Sequence, residues 1–218
     1  MQRIPEPELM DDPAQARAYA DADFSEPHDA FVRHFQRLFP EFNGGRVLDL
    51  GCGAADVTIR FARAYPGAMI DGIDGAEAML ELARKAVAQA QLQARIAVKL
   101  LRLPAANLRS GYDAVISNSL LHHLPQPATL WKAVASSARP GAPVLVMDLL
   151  RPASRESAAE LVRLHAGDAP PALVRDFTNS LLSAYRPDEV AQQLRACSLE
   201  GLAIEVVSDR HWLVWGHV

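Results

Sequence analysis

Residues 46–74, RVLDLGCGAADVTIRFARAYPGAMIDGID, decide the fold. The apolar run 47–50 reads as a short buried strand. Gly51-Cys52-Gly53 reads as a tight turn, where glycine lets the backbone bend sharply and approach a ligand. Residues 55–65 have helical patterning and stop before Pro66-Gly67. Residues 68–73 form a second apolar run that ends on Asp74. Strand, glycine turn, helix and strand in this order make a nucleotide-binding unit. From Gly53 to Asp74 is 21 positions (74 − 53), close to the roughly 20 at which an acidic residue meets a ribose hydroxyl pair.

The alternation continues outward. Helices are expected over 77–91, 128–138 and 187–197, and strands over 96–101, 113–117 and 144–148. Upstream, residues 13–39 read as two short helices broken near Pro27, with Phe31, Phe35, Leu38 and Phe39 facing a core. Residues 153–182 interrupt the rhythm with a long helical insert. The tail LAIEVVSDRHWLVWGHV reads as two strands around a Ser-Asp turn. The pattern predicts an α/β fold, a doubly wound and mostly parallel sheet closed by an antiparallel hairpin. One domain over 1–218 is expected. Residues 1–42 form an N-terminal helical lid, 43–150 a cofactor-binding core, 151–185 a helical insert or lid, and 186–218 the last helix and hairpin.

Half of the 218 residues are hydrophobic, enough for a full core. The net charge of −4 gives no footprint for nucleic acid. Cys52 and Cys197 belong to no CxxC pair, and no metal-ligand spacing is present. They read as free thiols. The acidic, proline-bearing N-terminus does not resemble a signal peptide, and no apolar run reaches the ~20 residues of a membrane helix. A soluble, cytoplasmic protein is expected.

A dinucleotide fingerprint would place a third glycine where Asp56 stands. A carboxylate there would repel a pyrophosphate at the helix N-terminus, or cap the helix itself. Asp49 adds negative charge. The local field therefore favours a ligand with positive charge, a ribose and no phosphate, as in S-adenosylmethionine.

VLDLGCGAAD followed by IDGIDGAEAML resembles the first two motifs of the class I S-adenosylmethionine-dependent methyltransferases. YDAVISNSLLHHLPQP resembles the segment around the fourth strand in their small-molecule branch. The likeness covers residues 46–148, and the closing hairpin suits the family's seven-stranded, Rossmann-like sheet. It implies that Asp49, Gly51 and Gly53 hold the methionine end of S-adenosylmethionine and that Asp74 accepts from the ribose. Gly75 and Ala76 would lie beside the adenosine, with Met79 on the adenine face and Tyr19 covering the cofactor. Many members carry an acidic residue after the third strand. This chain has KLLRLPAANL there, leaving backbone near Arg102 and Leu103, or the Asn107 side chain, to meet the adenine.

Ser117 and Asn118 stand where they would face the methyl group. His122 and His123, about 100° apart if helical, and Asp148 at the end of the fifth strand are the catalytic candidates. His165, Asp176, Asn179 and Tyr185 are candidates for a substrate chamber. The expected function is methyl transfer to a small-molecule acceptor by in-line displacement. The alternatives are an RNA or protein methyltransferase, a non-catalytic module binding S-adenosylmethionine or S-adenosylhomocysteine, and, more distantly, an NAD(P) oxidoreductase.

Overall fold

Strand β1 (Gly44–Leu50) is buried on both faces along its second half, and the rest of the molecule is arranged around it. Val47 packs into one core with Phe35, Phe61 and Ile116. Leu48 and Leu50 pack into a second core with Val115 and Trp131. A strand covered on both sides needs apolar side chains on both faces rather than alternation, and Val47, Leu48 and Leu50 supply them, with Asp49 the buried exception at the cavity end. The computed structural model describes residues 1–6 and 10–218.

In chain order the elements are α1 (Pro13–Ala20), α2 (Ser25–Leu38), β1, α3 (Asp56–Ala64), β2 (Gly67–Asp74), α4 (Glu77–Gln89), β3 (Ile96–Leu100) and β4 (Ala114–Asn118). A 3-10 turn at Leu121–His123 follows. Then come α5 (Ala128–Ser137), β5 (Pro143–Leu149), α6 (Arg155–Ala166), α7 (Pro171–Ser183), α8 (Pro187–Ala196), β6 (Ala203–Val206) and β7 (His211–His217). The seven strands run in the order β3-β2-β1-β4-β5-β7-β6. The first five are parallel, and β7 pairs antiparallel with both β5 and β6.

Chain direction around the sheet reverses between β1 and β4. Leu50 is in register with Ile73 on one side and Ser117 on the other. The carboxyl ends of β1, β2 and β4 therefore open at one level, where ligands of such sheets bind.

The break between α1 and α2 falls at residues 21–24 rather than at Pro27. Pro27 lies in the first turn of α2, where a helix has no use for the missing N–H. The aromatic residues of α2 meet the sheet as expected. Phe35 contacts Phe61 and Phe42 edge-on, with ring centroids 4.8 and 5.3 Å apart.

Candidate active site

A cavity of about 520 Å³ opens at the carboxyl ends of β1, β2 and β4. That suits one small cofactor. Its floor is the glycine turn. Gly51 and Gly53 both have positive φ (75° and 52°), and so does Ala55 (69°) just before α3. At Gly51 an added Cβ would press on the Leu120 side chain at 2.9 Å, so glycine is required there by space as well as by φ.

Asp74, the last residue of β2, sits at the cavity wall. Its carboxylate accepts from the Gly53 N–H and the Ala76 N–H, both at 2.9 Å. These bonds tie the two loops together and hold the carboxylate in place. Burial raises its pKa, against the amides of Ala76, Gly53 and Gly75. Gly75, Ala76 and Met79 continue the wall. Tyr19 and Met79 share a small apolar cluster with Ala16 and Ala76, so α1 covers one side of the cavity. Leu101, Arg102 and Leu103 form the opposite edge, while Asn107 is exposed and off the wall.

Asp49 is 2% exposed and also borders the cavity. Its carboxylate accepts from the Thr58 hydroxyl at 2.6 Å. Burial pushes its pKa up to about 7, the Thr58 bond pulls it down and the Asp74 charge raises it further. A carboxylate buried this deeply is favoured in its charged form by a cation placed beside it. Asn118, at the end of β4, turns a buried Oδ1 to which no donor among the described residues bonds. Burial pushes the Cys52 thiol up, which makes it an inert wall residue rather than a nucleophile.

Asp56 behaves differently from the sequence expectation. It neither caps α3 nor stands as a bare negative charge. His28 Nδ1 lies 2.6 Å from its carboxylate and Arg60 Nε donates at 2.9 Å. The His28 hydrogen bond, against burial and with help from Arg60, holds its pKa below the ordinary value. The charge of Asp56 is thus offset by neighbouring basic groups, and Asp49 and Asp74 are the carboxylates at the strand ends on the cavity floor.

Eleven of the expected site residues border the cavity: Tyr19, Asp49, Gly51, Gly53, Asp74, Gly75, Ala76, Met79, Leu103, Asn118 and His123. Ser117, His122 and Asp148 stand behind the wall instead. Ser117 is fully buried and its hydroxyl donates to the Leu50 carbonyl at 2.8 Å, stitching β4 to β1.

Asp148 is engaged by three groups. It accepts from the N–H of Leu121 at 2.7 Å and of Leu149 at 2.6 Å, and His122 Nδ1 lies 2.5 Å away. Burial alone would lower the His122 pKa, but the Asp148 charge and hydrogen bond, with Glu6, raise it. Burial would likewise raise Asp148, and the imidazolium keeps it below its ordinary value. The two form a buried ion pair with no oxygen of Asp148 facing the cavity wall.

The histidines do not diverge as helical neighbours would. They lie in a 3-10 turn with ring centroids 4.1 Å apart, and both approach Glu6. The insert contributes nothing to the wall. His165 pairs with Asp209, Asp176 accepts from Gln15, and Tyr185 lies under the Arg3 guanidinium. Residues 19–25 cover the cavity, so of the two expected lid segments only the N-terminal one borders it.

A glycine-floored cavity at the switch point, with an acidic residue closing β2 and a second buried carboxylate beside it, defines a Rossmann-like site for a cationic nucleoside cofactor. A family model described as a methyltransferase domain matches residues 48–144. The ubiquinone biosynthesis O-methyltransferase of Bordetella pertussis is 31% identical over 165 residues, 76% of this chain and 66% of that protein. The protein of the same name from Xanthomonas axonopodis pv. citri is 29% identical over 172 residues, 79% of this chain and 68% of that one. The chain thus spans about two thirds of the length of these relatives. Two solved structures share the fold. An Aquifex aeolicus S-adenosylmethionine-dependent methyltransferase aligns with a TM-score of 0.67 at 18% identity, over 94% of this chain and 97% of that one. The plantazolicin methyltransferase BpumL, solved with S-adenosylhomocysteine, aligns with a TM-score of 0.68 at 14% identity, over 93% and 90%. The chain belongs to the class I S-adenosylmethionine-dependent methyltransferases, and S-adenosylmethionine is its methyl donor.

One prediction separates wall from support. Ser117→Ala leaves the buried Leu50 carbonyl without its side-chain donor, so urea unfolding should show a loss of about 1–2 kcal/mol. Affinity for S-adenosylhomocysteine should stay unchanged in calorimetry. A large loss of affinity in a protein of normal stability would place Ser117 in the site after all.

Proposed function

We propose that the chain methylates a hydroxyl oxygen of a small molecule. In this reading the cofactor ribose bonds Asp74, its ammonium approaches Asp49, and the adenine packs between Met79 and Leu103. Asn118 faces the sulfonium and its methyl group. The observation that carries the reading is the Asp74 carboxylate, held at the cavity wall by the Gly53 and Ala76 amides. The choice of oxygen draws on the relatives, which are named O-methyltransferases. A net charge of −4 supports a small acceptor over nucleic acid.

The acceptor oxygen attacks the methyl carbon in line with the departing sulfur. The C–O bond forms as the C–S bond breaks, and its electron pair stays on sulfur as S-adenosylhomocysteine. The hydroxyl proton passes to water. Most of the protein's contribution is alignment, which is worth up to roughly 7–11 kcal/mol of such a barrier. Of the three catalytic candidates His123 alone borders the cavity, so it is the one assigned to contact the acceptor. Both cysteines are free, which supports a reducing compartment such as the cytoplasm. Among the described residues no helix is long and apolar enough to cross a membrane.

The test supplies S-adenosylmethionine with separate sets of phenols, alcohols, amines and thiols and reads methylated products by mass spectrometry. Methyl ethers are expected. Methylation confined to nitrogen, sulfur or carbon would overturn the choice of oxygen. Tight binding of S-adenosylhomocysteine with no turnover on any set would overturn the catalytic reading.

A further inference from the structure

We propose that Glu6, His122 and His123 form a binding site for one divalent transition cation of the zinc class, which clamps the N-terminal segment to the wall of the active-site cavity. The proposal does not depend on the identity of the methyl acceptor.

The N-terminal segment is already guided to this place. The Ile4 N–H donates to the Leu182 carbonyl at 3.0 Å. Arg3 donates through Nε to the Ser183 carbonyl at 2.5 Å and through Nη2 to the His122 carbonyl at 2.8 Å. The hydroxyls of Ser183 and Ser180 donate to the Glu6 carboxylate at 2.8 and 3.3 Å. Glu6 is thereby delivered to two imidazoles that are distant in sequence.

Glu6 Oε1 lies 3.4 Å from His122 Nε2 and 3.3 Å from His123 Nδ1. All three ligand atoms fall within 4.8 Å of one another. Charge-assisted N–H···O bonds are shorter, about 2.7–2.9 Å. Two ligands about 2.1 Å from a tetrahedral ion stand about 3.4 Å apart. The two separations from Glu6 match the second geometry, and the two imidazole nitrogens stand within 4.8 Å of each other. The side chains of Glu6 and His122 are 8% and 3% exposed, so water does little to screen the carboxylate.

The support behind the ligands has the form that metal sites use. His122 Nδ1 meets Asp148 at 2.5 Å, and Asp148 is fixed in turn by the amides of Leu121 and Leu149. A carboxylate on one imidazole nitrogen sets the tautomer and aims the other nitrogen's lone pair. In the metal-free protein a proton on His122 Nε2 faces the Glu6 carboxylate, and a cation entering between them displaces that proton and takes the lone pair. Two imidazoles and one carboxylate suit Zn²⁺ or Fe²⁺ better than Mg²⁺ or Ca²⁺. Ligation of His123 through Nδ1 leaves its Nε2–H to meet an acceptor oxygen in the cavity.

The experiment titrates the chelator-treated 218-residue chain with Zn²⁺ by calorimetry and with Co²⁺ by visible absorption. One ion per chain is expected, with the bands of tetrahedral Co²⁺. Glu6→Gln and His123→Gln should each weaken binding about tenfold or more, and Asp148→Asn about 10- to 100-fold. His165→Gln, at an imidazole paired with Asp209 outside the cluster, should change nothing. Zinc should also slow hydrogen exchange of residues 1–6. Thermal melting verifies that Glu6→Gln is folded. No binding, or binding insensitive to Glu6→Gln, would overturn the proposal and leave a proton in that place. Unchanged exchange at residues 1–6 on saturation would overturn the clamp.

Discussion

Asp74→Ala is expected to weaken S-adenosylhomocysteine binding about ten- to a hundredfold in calorimetry. Hydrogen bonds to a charged group contribute about 1.5–3 kcal/mol each when one partner is removed, and each 1.4 kcal/mol is a factor of ten. Two effects add. The ribose loses its acceptors, and the Gly53 and Ala76 N–H groups lose theirs, so the two loops that line the cavity are no longer tied together. Asp74→Asn separates the two effects. It keeps one carbonyl oxygen for a loop amide but removes the charge, and should fall between wild type and alanine. Equal affinity in all three proteins would refute the assignment of Asp74 to the ribose. Loss of affinity together with loss of the thermal transition would instead show the variant unfolded, and Asp74→Asn then decides the matter.

The sheet was legible because its signals are local. Each strand from β1 to β5 is a short apolar run bounded by turn residues, and each helix carries its own period. The glycine turn and Asp74 could be placed because both terminate strands that the sequence delimits. Pro27 misled because the same residue ends one helix or starts another. Only packing of Phe31 and Phe35 into the sheet decides which. Asp56 misled for a related reason. Its partners His28 and Arg60 come from α2 and from the next turn of α3, and the first of these is 28 residues away. Ser117 and Asp148 sit at strand ends, where sequence alone does not say which face a side chain takes. Glu6 had no signal at all. It stands 116 positions before His122 (122 − 6), and tertiary hydrogen bonds of Arg3, Ile4 and Glu6 itself, to α7 and the 3-10 turn, bring it there.

The second large effect is a pH dependence carried by Asp49. In the cofactor-free protein its carboxyl is pushed up to about 7, first by burial and then by Asp74, against the Thr58 hydrogen bond. An unfolded aspartate titrates near 3.9. The folded state therefore holds this proton more tightly. The group's contribution to stability is greatest below about pH 4 and is lost as the pH rises through about 7. A ligand ammonium binds the ionised form and reverses that preference. Only about a tenth of Asp49 is ionised at pH 6 and about nine tenths at pH 8, so affinity for S-adenosylhomocysteine should rise about tenfold across that range. The α-amino group of the ligand itself begins to lose its proton near pH 8, which sets the upper limit of the window. Two controls isolate the carboxylate. Methylthioadenosine, which lacks the amino acid end, should bind with the same affinity at pH 6 and pH 8. Asp49→Asn should bind S-adenosylhomocysteine weakly and without the rise, while melting at a higher temperature than wild type at pH 8, where it no longer buries a charge. A tenfold rise that survives in Asp49→Asn would assign the titration to another group and remove Asp49 from the ammonium.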